Sequence, residues 1–181
     1  LDAADLRFVV RGAREIVHEV AALRPATDGA ADADRVRVLI VPARDEAEHV
    51  AADVLAAALD PGRWEVRVAG DETLASELVA AVEEFRPAVV VFVALPPGGM
   101  SHLRYLVGRV RTKCPGVRLV VGRWGCESET AEPAEGVKGA EGTDRSPAET
   151  RKRLAEWHAV LVTEGKQTPG GKRALVGTAG A

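Results

Sequence analysis

Residues Ala88 to Leu95 read AVVVFVAL, the longest uninterrupted apolar run in the chain. A strand with one face in water alternates apolar and polar residues, so a strand that is apolar at every position needs both faces covered. The run is far short of the roughly 18 to 20 residues that a membrane-spanning helix requires. Three more short runs rich in β-branched residues accompany it, at Val36 to Val41, Trp64 to Val68 and Val117 to Val121. Helical patterns separate them, over Glu46 to Leu59, Asp71 to Phe85 and Ser101 to Lys113. Strands alternating with helices imply parallel pairing through right-handed crossovers. Ser146-Pro147-Ala148-Glu149 is a capping box that starts a further helix to about Trp157, and Ala159 to Thr163 follows as a candidate fifth strand.

The expected fold class is therefore α/β: a flavodoxin-like three-layer sandwich around a five-stranded parallel sheet of order 2-1-3-4-5, spanning residues 36–163. An extra amphipathic helix precedes it over residues 1–24. There, Leu6, Val9, Val10, Ala13, Ile16, Val17, Val20 and Leu23 form one apolar stripe opposite Arg7, Arg11, Arg14 and Glu15. Such a stripe must bury itself on the domain or on a second copy of the chain as a homodimer. Residues 25–35, rich in Ala, Asp and Gly, read as a linker. Cys126 to Arg145 carries six acidic residues, Glu127, Glu129, Glu132, Glu135, Glu141 and Asp144, and hardly any large apolar residue, so it is expected to be a mobile acidic insertion. Residues 164–181 are expected to be a disordered tail. The first residue, Leu1, is what a piece of a longer polypeptide or a processed chain would show.

With 181 residues and 46% hydrophobic content, the chain can build one domain with a real core. The net charge of -3, with Lys and Arg dispersed, gives no electrostatic footprint for nucleic acid. Cys114 and Cys126 form no C-x-x-C pair, which fits structural thiols in a reducing cytoplasm.

In a sheet of this order the helices change faces between strands one and three, and a crevice opens beyond the carboxyl ends of the strands. The loops at 42–46, 94–101 and 122–126 converge on it. The candidate ligand-binding residues are Arg44, Asp45 and Glu46 from the first, and Gly98, Gly99, Ser101 and His102 from the second with Tyr105 one turn on. Arg123 and Trp124 come from the third. Gly98 and Gly99 would let a ligand approach backbone amides at a helix N-terminus, which suits an anion. The other reading of the first group is that Asp45 and Glu46 complement the helix dipole while Arg44 pairs with them at the surface. His49, His102 and Cys126 have zinc-type donors, but no short-range ligand pair accompanies them and no metal is expected. No serine or cysteine has an evident base partner, so no catalytic residues are assigned and the chain is read as non-enzymatic.

The layout resembles the cobalamin-binding domain, whose D-x-H-x-x-G signature after the first strand supplies a cobalt-ligating histidine. Asp45 matches the aspartate, Ala47 stands in the histidine position and Val50 in that of the glycine, with His49 two residues late. Ala94-Leu95-Pro96-Pro97 replaces the serine-containing motif after the third strand, and Val121-Gly122 the glycine pair after the fourth. The resemblance implies the fold without histidine-ligated cobalamin, so no cofactor is expected. A closer resemblance is to the soluble C-terminal domain of bacterial permeases of the autoinducer-2 exporter family. It rests on Pro42-Ala43-Arg44-Asp45-Glu46-Ala47, on Ala94 to Pro97, on His102, Arg104, Tyr105, Leu106, Arg109 and Arg111, and on Val121-Gly122 with Trp124-Gly125. It implies a sensory or regulatory domain at the cytoplasmic face of a membrane, with the transporter portion of the same polypeptide as partner. A small polar or anionic ligand, or a protein, would bind at the carboxyl edge of the sheet. The rival readings are a corrinoid-binding module of a methyltransferase or photoreceptor-type regulator, and a small enzyme acting on an anionic substrate.

Overall fold

The computed structural model describes residues 3–22, 35–70, 73–125 and 136–167. After helix α1 (Ala3–Ala22), strands and helices alternate: β1 (Val36–Pro42), α2 (Glu46–Ala58), β2 (Trp64–Val68), α3 (Ala75–Phe85), β3 (Val89–Ala94), α4 (Met100–Lys113) and β4 (Arg118–Arg123). A short β5 (Gly142–Asp144) and the long α5 (Pro147–Gln167) complete the order. The strands form one sheet in the order β2-β1-β3-β4-β5, parallel at every pairing.

The continuous apolar run behaves as two faces of one strand. Along β3, Val90, Phe92 and Ala94 enter one core with Leu78, Val82 and Phe85 of α3 and Leu103, Leu106 and Val110 of α4. Val89, Val91 and Val93 enter the other, with Ala52 and Leu55 of α2 and Leu154 and Leu161 of α5. All six β3 residues are fully buried, so the period of two is satisfied on both sides. Each such aliphatic side chain contributes about 1.5–3 kcal/mol of burial free energy.

Two sequence expectations are corrected at the far edge. Ala159 to Thr163 is not a strand, because α5 continues through it to Gln167. Leu154, Trp157 and Leu161 recur at helical spacing on the inner face, while Val160 points to solvent. The fifth strand is instead Gly142–Asp144, inside the stretch read as a mobile insertion. Residues 136–145 are held by Val137, buried against α4, and by Arg111, which donates to the Gly139 carbonyl and pairs with Glu141 at 3.1 Å. Asp144 closes the edge through Arg153 (2.6 Å). Residues 126–135 of that segment, residues 25–34 of the linker and residues 168–181 of the tail lie outside the described residues, and residues 164–167, expected to be part of a disordered tail, are instead the end of α5. The capping box forms as read: Ser146 Oγ accepts from Glu149 N–H, and the Glu149 carboxylate accepts from Arg145 N–H.

Helix α1 docks on α2 of its own chain. Val10 is buried, and Arg14 reaches Glu46 at 3.9 Å. The apolar stripe is only partly used, since Val9 and Ile16 remain exposed, as does Phe8 beside it. Among the described residues no helix is long and apolar enough to cross a membrane.

Candidate functional site

The carboxyl ends of β1 and β3 meet at the point where the crossovers change direction, between α2 and α4. Asp45 is the N-cap of α2, its side chain accepting from the Glu48 N–H at 3.2 Å. The cap sets the first turn of the helix over the end of β3. The residue it aims inward is Glu48, whose side chain is fully buried. One oxygen, Oε1, accepts from the Leu95 N–H at 3.0 Å, just past β3. The other, Oε2, is buried without a hydrogen-bond partner. Burial pushes the Glu48 carboxyl above its ordinary pKa, and the neighbouring Asp45 charge adds to the rise; the bond from Leu95 and the Arg44 guanidinium oppose it.

Arg44 lies over this carboxyl. It pairs with Asp45 at 2.9 Å, approaches Glu48 at 3.9 Å and donates to the Pro97 carbonyl at 3.3 Å. From the end of β4, Arg123 donates to the Gly98 carbonyl at 2.6 Å. The loop between β3 and α4 is thus tied down from both flanking strands. It contains a cis Pro96–Pro97 bond, and Gly98 and Gly99 have φ of 83° and 79°, a left-handed conformation that favours glycine. Gly99 is the N-cap of α4 and gives it no side-chain hydrogen bond.

Of the residues expected at the site, Arg44, Asp45, Gly98, Gly99 and Arg123 come together around the switch point. Glu46 turns away to α1 and its ion pair with Arg14. Ser101, His102 and Tyr105 are exposed on α4, with the His102 and Tyr105 rings 6.4 Å apart. Trp124 is turned inward. It is buried in the core under α5, and its indole N–H donates to Thr150 Oγ1. Gly122 makes room for it: a Cβ there would stand 2.5 Å from the indole nitrogen. His49 faces Asp53 along α2 at 3.8 Å, and among the described residues no cluster of three metal-type donors forms. Cys114 is a half-buried free thiol whose pKa burial raises, which makes it less reactive.

The sequence reading missed Glu48. Its signal was available: Glu48, Ala52, Leu55 and Leu59 are spaced four, three and four apart, the inner stripe of the helix, and all four are buried. A charged residue in that stripe marks a place where the core gives way to something polar.

A model of the B12 binding domain family matches residues 36–138. Among solved structures, the fold is similar to a cobalamin-binding protein from Desulfitobacterium hafniense, with a TM-score of 0.52 at 16% identity over 68% of this chain and 59% of that one. It is also similar to the monomethylamine corrinoid protein of Methanosarcina barkeri, with a TM-score of 0.55 at 16% identity over 78% of this chain and 63% of that one. The signal receiver domain of a LuxO repressor protein from Vibrio parahaemolyticus shares the same architecture, with a TM-score of 0.50 at 16% identity over 76% of this chain and 99% of that one. The chain spans about three-fifths of the length of the two corrinoid-protein structures. No curated protein matches the chain. These findings correct two expectations. The reading as a regulatory domain of a membrane transporter gives way, because the family that matches is the B12-binding one and no finding points to an exporter permease. The expectation of no cofactor gives way on the same ground, since the ligand of the matched family is cobalamin. With more than half of its length matched by that one family model, the chain belongs to the B12 binding domain family.

Proposed function

We propose that the chain is a corrinoid-binding module, holding the macrocycle over the carboxyl edge of the sheet for a partner domain that carries out the chemistry or reads the signal. The observation that carries this reading is the family match across residues 36–138, which covers the β1, β3 and β4 ends that form the switch-point edge. Open parallel sheets bind their ligands at that point. The module supplies binding and orientation and is not itself an enzyme.

The residues fit a corrinoid in one arrangement and not in another. Ala47 has no donor for cobalt, and Glu48 is fully buried at the ends of β1 and β3, bonded to the Leu95 N–H. A corrinoid sunk into the crevice on a histidine at position 47 is therefore excluded. The rim is different. Arg44, Ser101 and His102 are exposed and Arg123 is half-buried, which offers donors to the carbonyl-bearing side chains that ring a corrin. In this arrangement these residues would hold the rim of the ring and would supply no ligand to cobalt.

The test is direct. Purified protein is incubated with cobalamin, passed through a desalting column and examined for visible absorbance. Corrinoid absorbance eluting with the protein is expected, and a colourless protein fraction would overturn the reading.

A further inference from the structure

We infer that Glu48 is a built-in plug of the switch-point crevice, so that the domain accepts corrinoids with or without a nucleotide tail and leaves the tail outside. This deepens the corrinoid reading and rests on it. Neighbouring strands lie about 5 Å apart, so a flat macrocycle must stay above the sheet edge and only something slender could pass between the helices that flank β1 and β3. The nucleotide tail is the slender part of cobalamin. Its route is occupied: Glu48 is fully buried there, bonded to the Leu95 N–H at 3.0 Å, and its Oε1 lies 3.9 Å from where a Cβ on Gly99 would be. Arg44 closes the entrance from above through Pro97 and Asp45.

Chemistry points the same way as volume. The tail carries a phosphodiester, and an ionised Glu48 would repel it. Protonated, the side chain still fills the space, and moving it out would strand the Leu95 N–H without its acceptor. Oε2 has no hydrogen-bond partner within the protein, so the carboxyl does not complete an internal network. It fits the role of an excluding group better than that of a structural bridge.

The experiment titrates the full chain with cobalamin and with cobinamide, which has the same ring without the nucleotide tail, following absorbance. Wild type is expected to bind the two within about threefold of each other. Glu48→Ala is expected to shift preference toward cobalamin by about tenfold or more, and Glu48→Gln, which fills the same volume, to behave as wild type. A wild type that already prefers cobalamin by about tenfold or more overturns the inference and leaves the corrinoid reading standing. A Glu48→Ala variant with an unchanged ratio also overturns it. If wild type binds neither compound, the corrinoid reading falls and the inference falls with it, whatever Glu48→Ala does. Should Glu48→Ala fail to fold, the wild-type ratio decides alone.

Discussion

Two buried acids sit at the same edge of the sheet and are treated in opposite ways. Asp144, at the outer strand, is almost fully buried, and Arg153 serves both of its oxygens, at 2.6 and 3.0 Å to Oδ1 and 3.2 Å to Oδ2. The bond to Asp144 in turn raises the pKa of Arg153. Glu48, at the inner strands, has one oxygen bonded to a backbone N–H, the other unpartnered, and an arginine no nearer than 3.9 Å. A satisfied pair closes an edge and leaves nothing to react to a ligand. A half-satisfied carboxyl with a raised pKa at a topological switch point is the kind of group that a binding site contains.

Removing one partner of the satisfied pair should have the largest effect. Asp144→Ala leaves the Arg153 guanidinium without its acceptor beside β5, and a loss of about 3 kcal/mol is expected in denaturant unfolding. A loss below about 1 kcal/mol would show that β5 is held by the backbone and Val137 rather than by the ion pair.

At the unsatisfied acid the sign is reversed. Because the folded pKa of Glu48 is raised by burial, its contribution is most favourable below the ordinary glutamate range and is lost as pH rises through the folded value. Above that value the protein pays for an ionised buried carboxylate. Glu48→Gln keeps an acceptor for the Leu95 N–H and cannot ionise, so it should match wild type in mild acid and exceed it by about 1 kcal/mol near pH 8. Parallel unfolding curves at the two pH values measure this. A variant less stable than wild type at the higher pH would mean that the Arg44 contact outweighs desolvation.

The smallest effect is expected where both charges stay wet. Arg14 and Glu46 are 3.9 Å apart with side chains 42% and 48% exposed, so Arg14→Ala should cost no more than about 0.5 kcal/mol. A larger loss would show that this pair, and not Val10, holds α1 to α2.

The inner part of this architecture was legible in the sequence because apolar pattern alone determines it. The β3 run requires two covered faces, and the helix patterns on either side supply them. The outer part was hidden for the same reason. β5 is a three-residue strand of Gly142, Thr143 and Asp144, held by polar side chains whose partners lie in α4 and α5, so hydrophobic periodicity carries no trace of it. The β-branched run near Val160 was misleading, because a helix can carry such residues on an exposed face. At the site, position in the topology was readable and side-chain direction was not. Trp124 follows a strand end yet turns into the core, and Glu48 looks like one more acid in a first turn until α2 docks.

The central claim is that a corrinoid rests on the edge with Glu48 beneath it and no protein nitrogen on cobalt. Electron paramagnetic resonance of Co(II) cobalamin bound to uniformly 15N-labelled protein tests it most directly. A signal unchanged by the labelling, with no splitting from protein nitrogen, is the expected result. A doublet from 15N would put a protein nitrogen on cobalt and contradict the account.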